Sequence, residues 1–349
     1  MMFSRLPFAA SPLAFACLAS LSTAPAAISG TFSETQDFGS NPGNLRMYSY
    51  RPARLGEGAP LVVVLHGCNQ SAPGYFEHSG WQAEADRGGF ALLFPEQQLG
   101  PGPIFDPNGR NHPTSCFNFA EVRDSTRDSG EALSIRQMIS TAVEDMEIDE
   151  DRIFVNGLSA GGGMTAVMLA TYPEVFSSGA IIAGLPYRCG TRTATAPEAC
   201  GISFPFLPSN PAPDRSPEEW GDLVRAAAPA GFTGPWPRVS IWQGDADGTV
   251  DPPNARELVE QWTDVHRIDA LPDEQRDLGV ALRAAYANPE GEILVELYAL
   301  PGFAHATPID PDAMGAPCGM SGDPFIRDAD ICSTSAIAAF FGLGDTASE

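Results

Sequence analysis

Short apolar runs bounded by glycine and proline recur along the chain: "APLVVVLHG" (59–67), "GFALLFPE" (89–96), "RIFVNG" (152–157), "GAIIAGLP" (179–186), "RVSIWQG" (238–244) and "ILVELYALPG" (293–302). Their length and β-branched content predict buried strands. Between them, apolar residues return at helical spacing over 129–146, 162–173 and 253–266. Strands alternating with helices argue for an α/β fold, a mostly parallel central sheet with helices on both faces. Ligands of such sheets bind beyond the carboxyl ends of the strands. Segment 266–290 shows no strand pattern and is expected to be a helical insertion, with a lid as the alternative. No linker, repeat or low-complexity tract divides the rest, so residues 28–349 are expected to form a single domain.

The first 27 residues read differently. One basic residue, Arg5, precedes an apolar run and small residues at Ala24 and Ala26, the layout of a secretory signal peptide cleaved near Ala26 or Ala27. The run is too short, and too broken by Pro12 and serines, to span a bilayer. An exported protein is the expectation, extracellular or periplasmic. Beyond that segment stand Cys68, Cys116, Cys189, Cys200, Cys318 and Cys332, an even number, for which an oxidising compartment makes disulfides the default. The short spacings suggest Cys189–Cys200 and Cys318–Cys332, leaving Cys68 for Cys116. No zinc spacing is present and histidines number five, so no metal is expected.

Removing Arg5, the only charged residue of the leader, takes the formal net charge from −24 to −25. Such a surface repels nucleic acid and anionic membranes, so neither is expected as a partner. All 20 basic side chains are arginine. Acidity without lysine fits a protein kept soluble in concentrated salt, and codon bias is the competing explanation.

Candidate chemistry centres on "RIFVNGLSAGGGMTAVML" (152–169). Gly157-Leu158-Ser159-Ala160-Gly161 falls where a strand ends and a helix begins, the setting in which a G-x-S-x-G turn exposes a nucleophilic serine. A serine that merely caps the helix is the alternative. A nucleophile needs a base, and of the five histidines only His305, in "LPGFAHATPIDP", follows a strand and lies after the serine. Asp245, Asp247 and Asp251 compete as the orienting carboxylate in "IWQGDADGTVDPPN". Asp247 is preferred, being held back in the turn within reach of a neighbouring loop, and Asp245 is next. The order Ser, Asp, His is that of α/β-hydrolases. Oxyanion donors would be the backbone N–H groups of Ala160, at the helix start, and Cys68, in "LHGCNQS"; His66 then reads as a turn-stabilising residue rather than a base.

The stretches "PLVVVLHGCNQSAPGYFEHSGWQAEADRGGFALLFPEQ", "SCFNF", "GEALSIRQMI", "RIFVNGLSAGGGMTAVMLATYPEVFSSGAIIAGLPY", "SIWQGDADGTVDPPNARELVEQW" and "GFAHATPIDP" resemble the poly(3-hydroxybutyrate) depolymerase family of α/β-hydrolases, whose relatives include feruloyl and acetylxylan esterases. The resemblance runs over roughly residues 30–343 and implies the α/β-hydrolase fold, nucleophile Ser159, acid Asp247, base His305 and oxyanion donors at Cys68 and Ala160. It points to an esterase without cofactor, acting on a polyester oligomer or a polysaccharide ester, and a monomer is expected. Phe119, Trp242 and Tyr75 are the expected substrate contacts. Phe119 stands where such depolymerases often have tryptophan, and no threonine-rich linker or polymer-binding module follows. A catalytically inert acidic binding protein on the same scaffold is the reading of another class. The acidic stretch 312–330 lacks the regular alternation of a calcium loop.

Overall fold

The computed structural model describes residues 1–2, 30–106, 109–204, 210–314 and 317–343. The expected leader, apart from its first two residues, therefore lies outside the described residues. Among the described residues ten strands form one sheet: β1 (Thr31–Thr35), β2 (Arg46–Arg51), β3 (Ala59–Leu65), β4 (Ala91–Glu96), β5 (Ile148–Leu158), β6 (Ser178–Ile182), β7 (Arg238–Gly244), β8 (Glu274–Asp277), β9 (Leu282–Ala287) and β10 (Ile293–Leu300). Their order is β1-β2-β4-β3-β5-β6-β7-β10-β9-β8. Strands β4 through β10 in that order are mutually parallel, and the pairs at both edges are antiparallel. A small parallel pair, β11 (Thr307–Ile309) with β12 (Ile326–Asp328), follows.

Every residue of β3 is buried, and the alternation of a strand divides them between two cores. Leu61, Val63 and Leu65 join the core beneath the helices Gly130–Met146, Ala160–Thr171 and Asn254–His266. Val62 and Val64 join the core on the opposite face, with Trp81, Phe90 and the helix Ser333–Phe340. A strand buried on both faces reads as a continuous apolar run, which is why these central strands were recognisable.

Segment 266–290 corrects the helical expectation. It forms the hairpin β8–β9, turning at Gly279, where φ is +83° and the N–H donates to Asp277 Oδ1 at 2.8 Å. Pairing with β10 outweighs the helical propensity of "ALRAAYA", and no residue of 266–290 lines the cavity that holds Ser159 and His305, which removes the lid alternative. The structure pairs Cys68 with Cys116, Cys189 with Cys200 and Cys318 with Cys332. Among the described residues no helix is long and apolar enough to cross a membrane.

Candidate active site

Strand β5 delivers Ser159 to the carboxyl edge of the sheet, where the chain reverses into the helix Ala160–Thr171. Ser159 has φ 58° and ψ −119°, a backbone state unfavourable for a residue with a Cβ, and its N–H donates to Ile182 O at 2.9 Å. The turn closes this tightly because its neighbours are glycines. A Cβ on Gly157 would meet Gly161 O at 2.3 Å, and one on Gly161 would meet Leu65 O at 2.3 Å. The helix is buried at every position, wedged between strand and core.

The other two side chains meet across the ends of β7 and β10. His305 Nδ1 lies 2.7 Å from Asp247 Oδ2. Because a carboxylate only accepts, Nδ1 carries the proton and Nε2 is left as the proton acceptor. Asp247 is buried and further held by Gln243 Nε2 on Oδ2 at 3.1 Å and by the N–H groups of Thr249 and Val250 on Oδ1 at 2.8 and 2.9 Å. Gly244 lets the two loops cross, since a Cβ there would fall 2.1 Å from Phe303 O. The rivals have other uses. Asp245 Oδ1 accepts from Gly302 N at 2.5 Å, stapling the turns, and Asp251 Oδ2 accepts from Ala212 N at 2.7 Å.

Ser159 and His305 line one cavity of about 500 Å³, together with Cys68 and Ala160. Among the described residues, the backbone N–H groups of Cys68 and Ala160 have no hydrogen-bond partner. The Cys68–Cys116 bridge ties the first of them to the cavity wall. His66 is placed otherwise: Gln97 N donates to its Nε2 at 3.1 Å, so its Nδ1–H donates to Gly67 O at 2.7 Å. Burial pulls its pKa down to about 4, which keeps it neutral and structural.

Of the three expected substrate contacts the structure brings only Phe119 into the cavity, its ring against Gly163, where a Cβ would sit 2.7 Å away. Trp242 and Tyr75 are corrections. Trp242 points into the opposite core, stacked on Tyr298 at 3.8 Å, because its position on β7 faces away from Ile241 and the cavity side. Tyr75 is fully buried with its hydroxyl 2.7 Å from Thr307 Oγ1, bracing the strand that follows His305. Sequence reasoning missed Gln243 and Phe325. The ring of Phe325 lies edge-on to His305 at 6.3 Å, and it comes from the acidic stretch considered above for calcium. There Asp323 accepts from Phe325 N at 2.7 Å and from Gln70 Nε2 at 3.0 Å, joining that stretch to the Cys68 turn. No local pattern announces such long-range contacts.

This architecture is the α/β-hydrolase fold: an acetyl xylan esterase from Aspergillus awamori superposes with a TM-score of 0.67 at 22% identity, over 90% of this chain and 100% of that one. The chain belongs to the esterase PHB depolymerase family, whose model matches residues 46–196. It is 42% identical to poly(3-hydroxyalkanoate) depolymerase C of Paucimonas lemoignei, over 89% of this chain and 70% of that protein. It is also 32% identical to an acetylxylan esterase of Coprinopsis cinerea, over 82% of this chain and 71% of that protein.

Proposed function

We propose that the chain is a serine esterase acting through an acyl-enzyme, with poly- or oligo(3-hydroxyalkanoate) as substrate. The observation that carries this reading is the Asp247–His305 hydrogen bond at 2.7 Å, with His305 lining one cavity together with a serine held at positive φ. Ser159 Oγ attacks the ester carbonyl while His305 Nε2 takes its proton. Asp247 keeps the imidazole in the required tautomer and stabilises the imidazolium. The N–H groups of Cys68 and Ala160 receive the oxyanion. His305 then protonates the leaving alcohol, and a water molecule, deprotonated by the same nitrogen, releases the acid. The Ser159 hydroxyl has no hydrogen bond among the described residues, and such contacts commonly tighten only when substrate binds. Three disulfides and the leader pattern support export, with residues 28–349 acting as one catalytic domain.

The polyester reading rests on the 42% identity to a depolymerase. An ester on plant polysaccharide, acetyl or feruloyl, is the second reading, favoured by the 32% identity to an acetylxylan esterase. A fluorophosphonate probe tests the mechanism: it should label the native protein and leave Ser159→Ala unmodified. Absence of labelling in folded protein leaves the inert binding scaffold as the better reading. Comparing kcat/KM on hydroxybutyrate oligomers, methyl ferulate and acetylated xylan tests the substrate. A preference of about tenfold for either of the last two, about 1.4 kcal/mol of transition-state discrimination, overturns the first ranking and leaves the machinery in place.

A further inference from the structure

The sheet has a second cavity, of about 720 Å³, at the opposite end from Ser159 and sharing no lining residue with the first. Ser178 and Arg238 open strands β6 and β7 there, and Arg152 and Arg267 stand beside them. In a chain of net charge −24 this is an unusual gathering of cations. Arg225 also lines the cavity and is occupied by Asp222 and Asp264, both at 2.7 Å. Among the described residues Arg152, Arg238 and Arg267 have no carboxylate within ion-pair distance.

Arg238 is half-buried, and its orientation is fixed. Nη2 donates to Phe340 O at 2.6 Å, and the guanidinium lies 4.6 Å from the Phe340 ring centroid. Burial pulls its pKa below the usual arginine value, partly offset by the more distant charges of Glu292 and Glu296. His266 Nε2–H donates to Pro237 O at 3.0 Å and burial holds the ring neutral, at a pKa of about 4, so it adds no charge. The acidic side chains on the wall are Asp151 and Glu292.

We propose that this cavity binds an oxyanion, a sulfate, phosphate or carboxylate group held by Arg238 with Arg152 and Arg267. A planar guanidinium presents paired N–H groups that match such oxygens, and a half-buried one without a counterion gains most from the match. The test is thermal melting of the intact protein in about molar NaCl, where the Debye length is roughly 3 Å and general screening is already complete. Sodium sulfate, phosphate and acetate are each titrated in the millimolar range. The expected result is a saturable rise in Tm with at least one of them, as mass action requires for a ligand of the folded state. The rise should vanish in the double variant Arg152→Gln/Arg267→Gln, whose side chains are exposed and whose esterase activity should be unchanged; Arg238→Gln provides a second variant. No saturable rise with any of the three, or an equal rise in the double variant, overturns the proposal and leaves solvated arginines only.

Discussion

Two buried histidines stand at strand ends near the same cavity, and they have opposite chemical fates. His305 faces a carboxylate through Nδ1, leaving Nε2 as a proton acceptor, and the carboxylate would stabilise the imidazolium once that proton is taken. His66 lies between a carbonyl and a backbone N–H, both nitrogens consumed, with burial lowering its pKa to about 4. Position on the sheet does not make a base; the partner of the far nitrogen does. The same distinction separates the two aspartates of the β7 turn. Asp247 is buried with donors on both oxygens, whereas the exposed Asp245 fastens a neighbouring turn.

The strongest attempt to break this comparison is Asp247→Asn. An amide cannot hold the Nδ1–H tautomer, so kcat should fall by about 10⁴-fold with the fold retained, the size of loss seen when a triad aspartate is made an amide. Asp245→Asn should stay within about threefold of the parent enzyme, an interval set by a lost surface hydrogen bond of about 0.5 kcal/mol. Steady-state kinetics on a soluble ester decides. Comparable losses in the two variants would falsify the assignment of Asp247.

Next in size is the bridge that holds the Cys68 turn. Its closed loop has a sequence separation of 48 residues, and removing it with Cys68→Ala/Cys116→Ala should cost about 2–5 kcal/mol of stability. If the bridge also holds the Cys68 N–H in place, kcat should fall more than KM rises. Denaturant titration together with kinetics below the melting transition separates the two effects. A variant that is less stable yet fully active would confine the bridge to a structural role.

These contrasts were unevenly legible in the sequence. The strands β3, β4, β6 and β7 and the second half of β5 are buried on both faces and so stand out as apolar runs, β10 is apolar though only half buried, and the G-x-S-x-G turn sits at the end of β5. Strands β1 and β2 and the hairpin β8–β9, the outer antiparallel pairs of the sheet, escaped because their exposed and half-buried positions leave no continuous apolar run. The order of serine, aspartate and histidine was readable from their places after strands. The cavity wall was not: Trp242 and Tyr75 are aromatic and near the right elements, but the face each takes is set by strand alternation for Trp242 and by how its helix packs for Tyr75. Phe325 and Gln243 enter through packing between distant segments, which leaves no periodic trace.

The neutral histidines predict a pH dependence of stability. Burial lowers His66, His112 and His266 to about 4 from an ordinary value of 6.5. Their folded pKa values lie below the unfolded ones, so the stability they contribute is present above about pH 6.5 and lost as pH falls through about 4. Each contributes a slope of up to about 1.4 kcal/mol per pH unit in that window. His266→Gln should flatten the curve of unfolding free energy against pH by about one proton, because glutamine can donate to Pro237 O but does not titrate. An unchanged slope would mean that His266 already takes up its proton in the folded state.

The smallest expected effect concerns the contrast between buried and surface charge. The Asp247–His305 pair is shielded from solvent, where added salt screens little, while most of the net charge of −24 lies on acidic residues facing water. Raising NaCl from dilute buffer to about molar shortens the Debye length to roughly 3 Å and relieves the repulsion among those residues. Tm should therefore rise by a few degrees while kcat at saturating substrate changes by less than about twofold, a difference of about 0.4 kcal/mol in the barrier. The melts must be run without reductant, since loss of the disulfides would mask so small a gain. A flat or falling Tm would remove salt adaptation as the reason for an arginine-only basic complement and leave codon bias in its place. A large fall in kcat with a rising Tm would show instead that the Asp247–His305 pair is more open to solvent than its burial implies.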